Sequence, residues 1–428
     1  MMNKNELELY IHIPFCAHKC NYCDFLSYAA PERSYRGYVD KLIEEIYGQG
    51  ANFQNSHVST VFLGGGTPSM LPAHMVEELF AVLYGCFDID MDAEVTIEAN
   101  PGTLTMDKLE TYLQSGINRI SLGLQSSDDK ELKMLGRIHT FDGFLKSYQR
   151  ARQAGFTNIN IDLMSALPGQ NLHSWKNTLR KVAMLKPEHI SAYSLTIEEG
   201  TPFYERYGPK NVKQYDRLWA KKKAGGSRGQ GGGALRGPDM EKGGVPGNGA
   251  PKWEDWPPLP DEEEDRKIYH LTKEFLASQG YARYEISNYA RPGRECLHNI
   301  GYWTGVDYLG LGLGASSYVG GRRFCNTPVL REYLSLDLRR PGGAAQDIQE
   351  LTMEEKMEEF MFLGLRMVQG VSGSEFLGRF GRNMWNIYEP VLARLKAQGL
   401  IEVEAPWVRL TERGTDVSNQ VLSEFLLG

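Results

Sequence analysis

Short apolar runs alternate along the chain with longer stretches in which apolar positions recur every three or four residues. The runs at residues 9–13, 58–63, 94–98, 119–123, 158–164 and 189–195 predict strands. Between them, residues 35–47, 75–84, 106–114, 141–154 and 174–185 carry the longer period and predict amphipathic helices. Strands alternating with helices imply parallel strands joined by helical crossovers, an α/β fold. A partial (β/α)6 barrel fits, because the turns that carry chemically capable side chains all follow strands, where barrels place their active sites. A doubly wound open sheet is the competing arrangement, and periodicity does not separate the two.

The pattern breaks at residues 221–260. This segment opens on Lys221, Lys222 and Lys223, turns glycine-rich, and ends in a proline and acidic run. Such a composition buries too little apolar surface to order itself, so a flexible, solvated insertion is expected. Residues 266–279 then predict a helix, and residues 281–324 are rich in glycine and aromatic side chains. From about residue 351 come helices, followed by short runs at 401–403 and 408–410 separated by four residues. Helices followed by a hairpin predict a helical, winged-helix-like C-terminal domain. The expected division is therefore 1–220, a partial barrel; 221–260, the insertion; 261–345, a barrel extension; and 346–428, the C-terminal domain.

Composition narrows the function. The 428 residues are 41% apolar and 24% charged, ordinary for a soluble protein with a sizeable core. A net charge of -7 makes nucleic acid a poor partner, and the mixed charges of the C-terminal domain favour a structural cap over a DNA reader. No run reaches the ~18 to 20 apolar residues of a membrane span, and the first nine residues are too charged for a secretory signal. The expected location is the cytoplasm, where clustered cysteines bind metals or react rather than form disulfides.

Of six cysteines, three crowd into eight residues, Cys16-Ala-His-Lys-Cys20-Asn-Tyr-Cys23, directly after the first strand. Cys86 and Cys325 are isolated and read as small apolar residues. Three thiolates in one loop suit a [4Fe–4S] cluster, which normally takes four, so one iron keeps an open position. That iron can bind the amino and carboxylate groups of a methionine derivative. A zinc site completed by His12 or His18 is the alternative, although structural zinc prefers two separated ligand pairs. Gly64-Gly65-Gly66-Thr67-Pro68 follows the second strand. Adjacent glycines let backbone approach a ligand closely, and a tight turn explains them equally well.

These motifs together resemble the radical-SAM superfamily. The match is closest to the branch that contains oxygen-independent coproporphyrinogen III oxidase and the heme chaperone HemW family, over nearly the whole chain except the insertion. The resemblance implies a [4Fe–4S] cluster on Cys16, Cys20 and Cys23 and S-adenosylmethionine beside it. It assigns cofactor contacts to Tyr10, Tyr22, Gly65, Gly66, Thr67, Glu98, Gln125, Arg137 and Asp162. In chemical terms, Glu98 and Asp162 accept hydrogen bonds from ribose hydroxyls or an amino group. Arg137 offers a donor fork to a carboxylate, and Gln125 offers both donor and acceptor.

Two features bear on which member of the branch this is. The oxidase motif carries a further cysteine two positions beyond the third, where this chain has Phe25. The chaperone motif His-Asn-x-x-Tyr-Trp matches His298, Asn299, Tyr302 and Trp303. The resemblance thus implies heme as ligand, with His298 on the iron and the two aromatics on the macrocycle. Cys296 is an alternative thiolate, and a packed, hydrogen-bonded histidine is the alternative to any ligand role. The implied function is a heme chaperone that passes heme to hemoproteins such as respiratory oxidases. A homodimer and peripheral contact with membrane proteins are further implications. Radical decarboxylation of porphyrinogen propionates is the alternative activity, and a radical-SAM reaction on an unrelated substrate is the third.

Overall fold

The computed structural model describes residues 5–209, 256–340 and 342–427. Most of the expected insertion therefore lies outside the described residues. Its last residues do not follow the expectation of a solvated loop. Trp256 is buried against Phe203 and Tyr207, and Pro258 accepts a hydrogen bond from Gly169 N–H at 2.9 Å.

Six parallel strands form the framework: β1 (Asn5–Ile13), β2 (Ser56–Gly65), β3 (Ile89–Ala99), β4 (Arg119–Gln125), β5 (Ile159–Ser165) and β6 (His189–Ser194). They lie side by side in chain order. A doubly wound sheet reverses its strand order at a switch point. No reversal occurs among these six, so the partial barrel is the arrangement adopted. Helices α1 (Tyr35–Gly50), α2 (Ala73–Cys86), α3 (Met106–Gln114), α4 (Asp129–Met134), α5 (Phe141–Ala154) and α6 (Leu172–Ala183) cross between strands or follow them. Each predicted strand and helix is present, with ends shifted by a few residues.

Along each strand, alternate residues face opposite sides. In β1, Leu7, Leu9, Ile11 and Ile13 enter the hydrophobic core, and Glu8, Tyr10 and His12 take the other face. The same alternation puts Thr60 and Phe62, Glu94 and Glu98, Arg119 and Ser121, Asn160 and Asp162, and His189 on the inner face. The lumen is therefore polar although it is buried, whereas strands covered on both faces usually read as continuous apolar runs.

The sheet extends beyond the barrel. A parallel strand, β8 (Tyr308–Leu311), pairs with β1, and β9 (Ser316–Val319), β10 (Arg322–Asn326) and β11 (Ala345–Glu350) follow antiparallel; β7 (Asn288–Ala290) adds to β6. Helix α7 (Glu262–Ser278) packs on α6, where the fully buried Trp175 donates Nε1–H to Thr272 at 2.7 Å. Helix α8 (Leu297–Thr304) carries the His-Asn-x-x-Tyr-Trp motif. A separate hydrophobic cluster, from Met357 to Phe425, forms the C-terminal region. Helices α9 (Met353–Gly364), α10 (Gly373–Phe380) and α11 (Met384–Ala397) pack there with a three-stranded sheet that includes the Ile401–Glu404 and Trp407–Leu410 hairpin. No helix among the described residues is long and apolar enough to cross a membrane.

Candidate functional site

The cysteine loop leaves the carboxyl end of β1 and meets the glycine turn that ends β2. The Gly66 N–H donates to Ile13 O at 2.8 Å, which seats the two turns together. Glycine is required at both central positions. Gly65 has φ +108°, and a β-carbon there would press on the His12 ring; one on Gly66 would lie 2.7 Å from the Phe15 carbonyl oxygen.

A hydrogen-bonded circuit ties two cysteines to the ends of the neighbouring strands. Cys16 Sγ lies 3.6 Å from Thr67 Oγ1, which accepts from Asn100 Nδ2 at 2.6 Å. Asn100 Oδ1 accepts from Arg137 Nη2 at 2.5 Å, and Arg137 Nη1 donates to Cys20 Sγ at 3.6 Å. Arg137 Nη2 also donates to Gly123 O at 2.6 Å, so the guanidinium spans the loop and β4. Burial alone pulls the Arg137 pKa down, but the neighbouring Tyr22 and Cys20 more than offset it and the charge is held firmly. Cys20, Thr67, Asn100 and Arg137 line a small cavity at the barrel mouth. Asn100 is a site residue that the strand-end motif Glu-Ala-Asn-Pro contained without distinguishing; its position two residues after Glu98 was the available signal.

Deeper in the mouth sit two carboxylates. Glu98 Oε2 accepts from Gly65 N–H at 3.2 Å, and burial together with the negative charge of Asp162 pushes its pKa up to about 8. Asp162 is raised by burial and restrained by donors, Ser121 Oγ–H at 2.8 Å and Asn160 Nδ2–H at 2.7 Å. Two partly buried acids that resist ionising together favour a ligand bringing positive charge or hydroxyl donors. S-Adenosylmethionine, a sulfonium with an ammonium group and a ribose, meets that demand. Gln125 ends β4 at φ +73°, its Oε1 accepting from Tyr193 OH at 2.9 Å. Tyr10 lies within hydrogen-bond distance of His12, 3.0 Å from Oη to Nδ1, and Tyr22 packs with Leu135 and Met164 beside the loop.

The donor set also suits the cluster. Three thiols come from one loop, and among the described residues no group of three or more His, Cys, Asp or Glu side chains is arranged to hold a single ion.

His298 is not at this mouth. It packs against Thr60 and Glu8, each five residues before the end of its strand, roughly 16 Å back at about 3.3 Å per residue. The residue is 1% exposed, its ring stacked on Phe62 with centroids 5.1 Å apart. Both nitrogens are engaged: Nδ1 lies 2.6 Å from Thr60 Oγ1, and Nε2 lies 3.0 Å from the Tyr302 hydroxyl. Burial, and then the Arg119 charge, lower its pKa to about 3, so the imidazole is neutral. Heme ligation by His298 therefore requires one of these bonds to open. Cys296 is wholly buried, and its thiol donates to Glu94 at 3.3 Å.

Sequence reasoning missed the group that holds helix α8. Glu94 accepts from the N–H groups of Leu297 and His298, both at 3.2 Å, and lies 4.0 Å from Arg119. The signal was the placement of charged residues at alternate positions in strands whose other face is wholly apolar.

Residues 10–182 match the Radical SAM superfamily and residues 351–417 the HemN C-terminal domain. The chain is 34% identical over 418 residues to the heme chaperone HemW of Bacillus subtilis (strain 168), covering 97% of this chain and 98% of that one. It is 33% identical over 433 residues to the heme chaperone HemW of Escherichia coli (strain K12), covering 100% of both. Among solved structures, coproporphyrinogen III oxidase (HemN) from Escherichia coli, a radical SAM enzyme, matches with a TM-score of 0.77 at 23% identity, over 99% of this chain and 90% of that one. That structure shares the fold, and the full-length relatives place the chain in a narrower group: it belongs to the heme chaperone HemW family of the radical-SAM superfamily.

Proposed function

We propose that this chain is a heme chaperone, binding heme at the His298–Trp303 end of the barrel and passing it to recipient hemoproteins. The observation that carries this reading is the separation of two sites. The cysteine loop occupies the carboxyl ends of the strands, and the His-Asn-x-x-Tyr-Trp helix closes the other end of the barrel. Glu8, Phe62, Glu94 and Arg119 pack the lumen between them. Heme held beside α8 is therefore kept away from the mouth rather than presented to it for reaction.

At the mouth, Cys16, Cys20 and Cys23 would hold a [4Fe–4S] cluster. S-Adenosylmethionine would be held by Tyr10, Tyr22, Gly65, Gly66, Thr67, Glu98, Gln125, Arg137 and Asp162. When bound, the pair supplies one-electron chemistry. Arg137 fixes Cys20 and provides charge, Glu98 and Asp162 orient the ligand's donors, and the glycine turn gives backbone access. His298 is the heme ligand, freed when the Tyr302 contact opens.

The chain divides at 1–220, 221–260, 261–345 and 346–428. Its location is the cytoplasm, and its recipients are hemoproteins such as respiratory oxidases, reached as a homodimer or by peripheral membrane contact. The test is an absorbance titration of purified protein with heme beside His298→Ala. Saturation near one heme per chain, with a Soret band altered in the variant, supports the reading. Absence of specific heme binding, together with decarboxylated product from a porphyrinogen under anaerobic conditions, would replace it with the oxidase activity.

A further inference from the structure

A cavity of about 300 Å3 lies on the far side of Tyr302 from His298, between α8, the β8–β10 extension and helices α9 and α10. Its walls differ in kind. Trp303, Tyr318 and Phe360 bring aromatic rings, each with a guanidinium over one face (Arg366 at 5.2 Å, Arg323 at 5.1 Å and Arg379 at 5.5 Å), and Arg323, Lys356 and Arg379 bring three cations to the same space. The cations are not equivalent. Arg323 is committed to Glu359 through two bonds of 2.8 and 2.9 Å. Arg379 donates to Thr304 O at 3.0 Å and reaches the half-exposed Glu375 only at 3.5 Å. The Lys356 ammonium makes no hydrogen bond or ion pair among the described residues and lies over Gly321, where a β-carbon would run into it. On the aromatic side, the indole N–H of Trp303 is buried without an acceptor. Asp307, the nearby acid, is turned to the Gly320 N–H at 2.9 Å.

Resting on the heme-chaperone reading, we propose that this cavity is the clamp for the carboxylate edge of heme. Lys356 and Arg379 take the two propionates, and Trp303, Tyr318 and Phe360 pack on the macrocycle. A flat apolar ring bearing two carboxylates is the ligand whose chemistry matches aromatic side chains beside the unpaired Lys356 ammonium and an Arg379 held by a carbonyl and a distant, half-exposed carboxylate. The volume stands at the low end for small-molecule sites, ~300 to 1,000 Å3. The clamp therefore encloses one edge and leaves the remainder for a recipient to grasp. The C-terminal helices supply Lys356, Phe360 and Arg379, which gives that region a part in holding the cargo.

The experiment compares heme with heme dimethyl ester, in which both propionates are masked, on the full chain and on the variants Lys356→Gln and Lys356→Gln/Arg379→Gln. Wild type is expected to bind heme about tenfold or more tighter than the ester, the size of effect that charge-assisted hydrogen bonds produce. The double variant is expected to lose that preference. Lys356→Gln alone removes no polar contact among the described residues and is expected to lose part of that preference. Equal binding of heme and ester by wild type, or a preference unchanged in both variants, overturns the clamp while the chaperone reading stands. Failure of wild type to bind heme at all overturns that reading and the clamp with it.

Discussion

The Nε2 of His298 and the hydroxyl of Tyr302 lie 3.0 Å apart, one helical turn from each other on α8. Tyr302 also lines the cavity beyond it, so this contact is what separates the imidazole from that space. Removing the hydroxyl leaves Nε2 without its partner and ready to bind iron. Losing one hydrogen bond of about 1 kcal/mol corresponds to roughly fivefold in an equilibrium constant. Tyr302→Phe is therefore expected to tighten heme binding by about that factor. His298→Ala should lose the nitrogen-ligated Soret band. A Tyr302→Phe titration superimposed on wild type would show that this contact does not govern access to the ligand.

Glu8 and His298 sit together in the lumen, with Nδ1 3.8 Å from the carboxylate, yet burial keeps both uncharged. Burial pushes Glu8 up to about 9 and pulls His298 down to about 3. For His298, the unfolded chain binds a proton between pH 6.5 and 3 that the native state refuses, so stability falls as acid is added through that window. For Glu8, the native state keeps a proton between pH 4.5 and 9 that the unfolded chain releases, so stability falls as base is added. Glu98, raised to about 8, adds to the alkaline loss. Glu8→Gln is expected to flatten the decline in thermal midpoint between pH 6 and 9. An unchanged decline would mean that Glu8 ionises freely in the fold.

Much of this was legible in the chain. Strands such as β4 and β5, and helices such as α3 and α5, follow from local periodicity, because each buries a face whose spacing is written in consecutive residues. The cysteine loop and glycine turn were legible because their chemistry is compressed into a few positions. Other features depend on contacts distant in sequence. The four-residue β8 carries no periodic signal, and its parallel pairing with β1 spans about 300 residues. His298 was visible as part of a motif, but its enclosure depends on Thr60 and Phe62 from β2. The cavity beside it joins α8 to helices more than fifty residues later, so Lys356 and Arg379 were ordinary surface cations until the fold placed them.

Arg137 is the member of the mouth circuit that holds a cysteine, Asn100 and a β4 carbonyl at once. Arg137→Met keeps most of the volume and removes the donors. Hydrogen bonds to charged groups contribute about 1.5–3 kcal/mol, so S-adenosylmethionine is expected to bind at least tenfold more weakly. Equilibrium dialysis of cluster-reconstituted protein measures this, with iron content read in parallel. Weaker cofactor binding at full iron content places Arg137 on the cofactor, whereas parallel loss of iron places it on the loop. Wild-type affinity would remove it from the site.

Glu94 joins the barrel to the helix that carries the heme motif. Its carboxylate satisfies two backbone N–H groups at the start of α8 and faces the buried Arg119. Removing one member of a buried charged pair strands the other, and costs of about 3–5 kcal/mol are typical. The consequence should be local as well as global, because the freed N–H groups belong to Leu297 and His298. Glu94→Ala is expected to lower the thermal midpoint. It should also raise amide hydrogen exchange across residues 297–304 more than across α3 or α5. The same loosening lets the Tyr302 contact open more often, so heme should bind faster and leave faster in this variant. Uniform exchange across all three helices would mean that Glu94 supports the fold without positioning the motif.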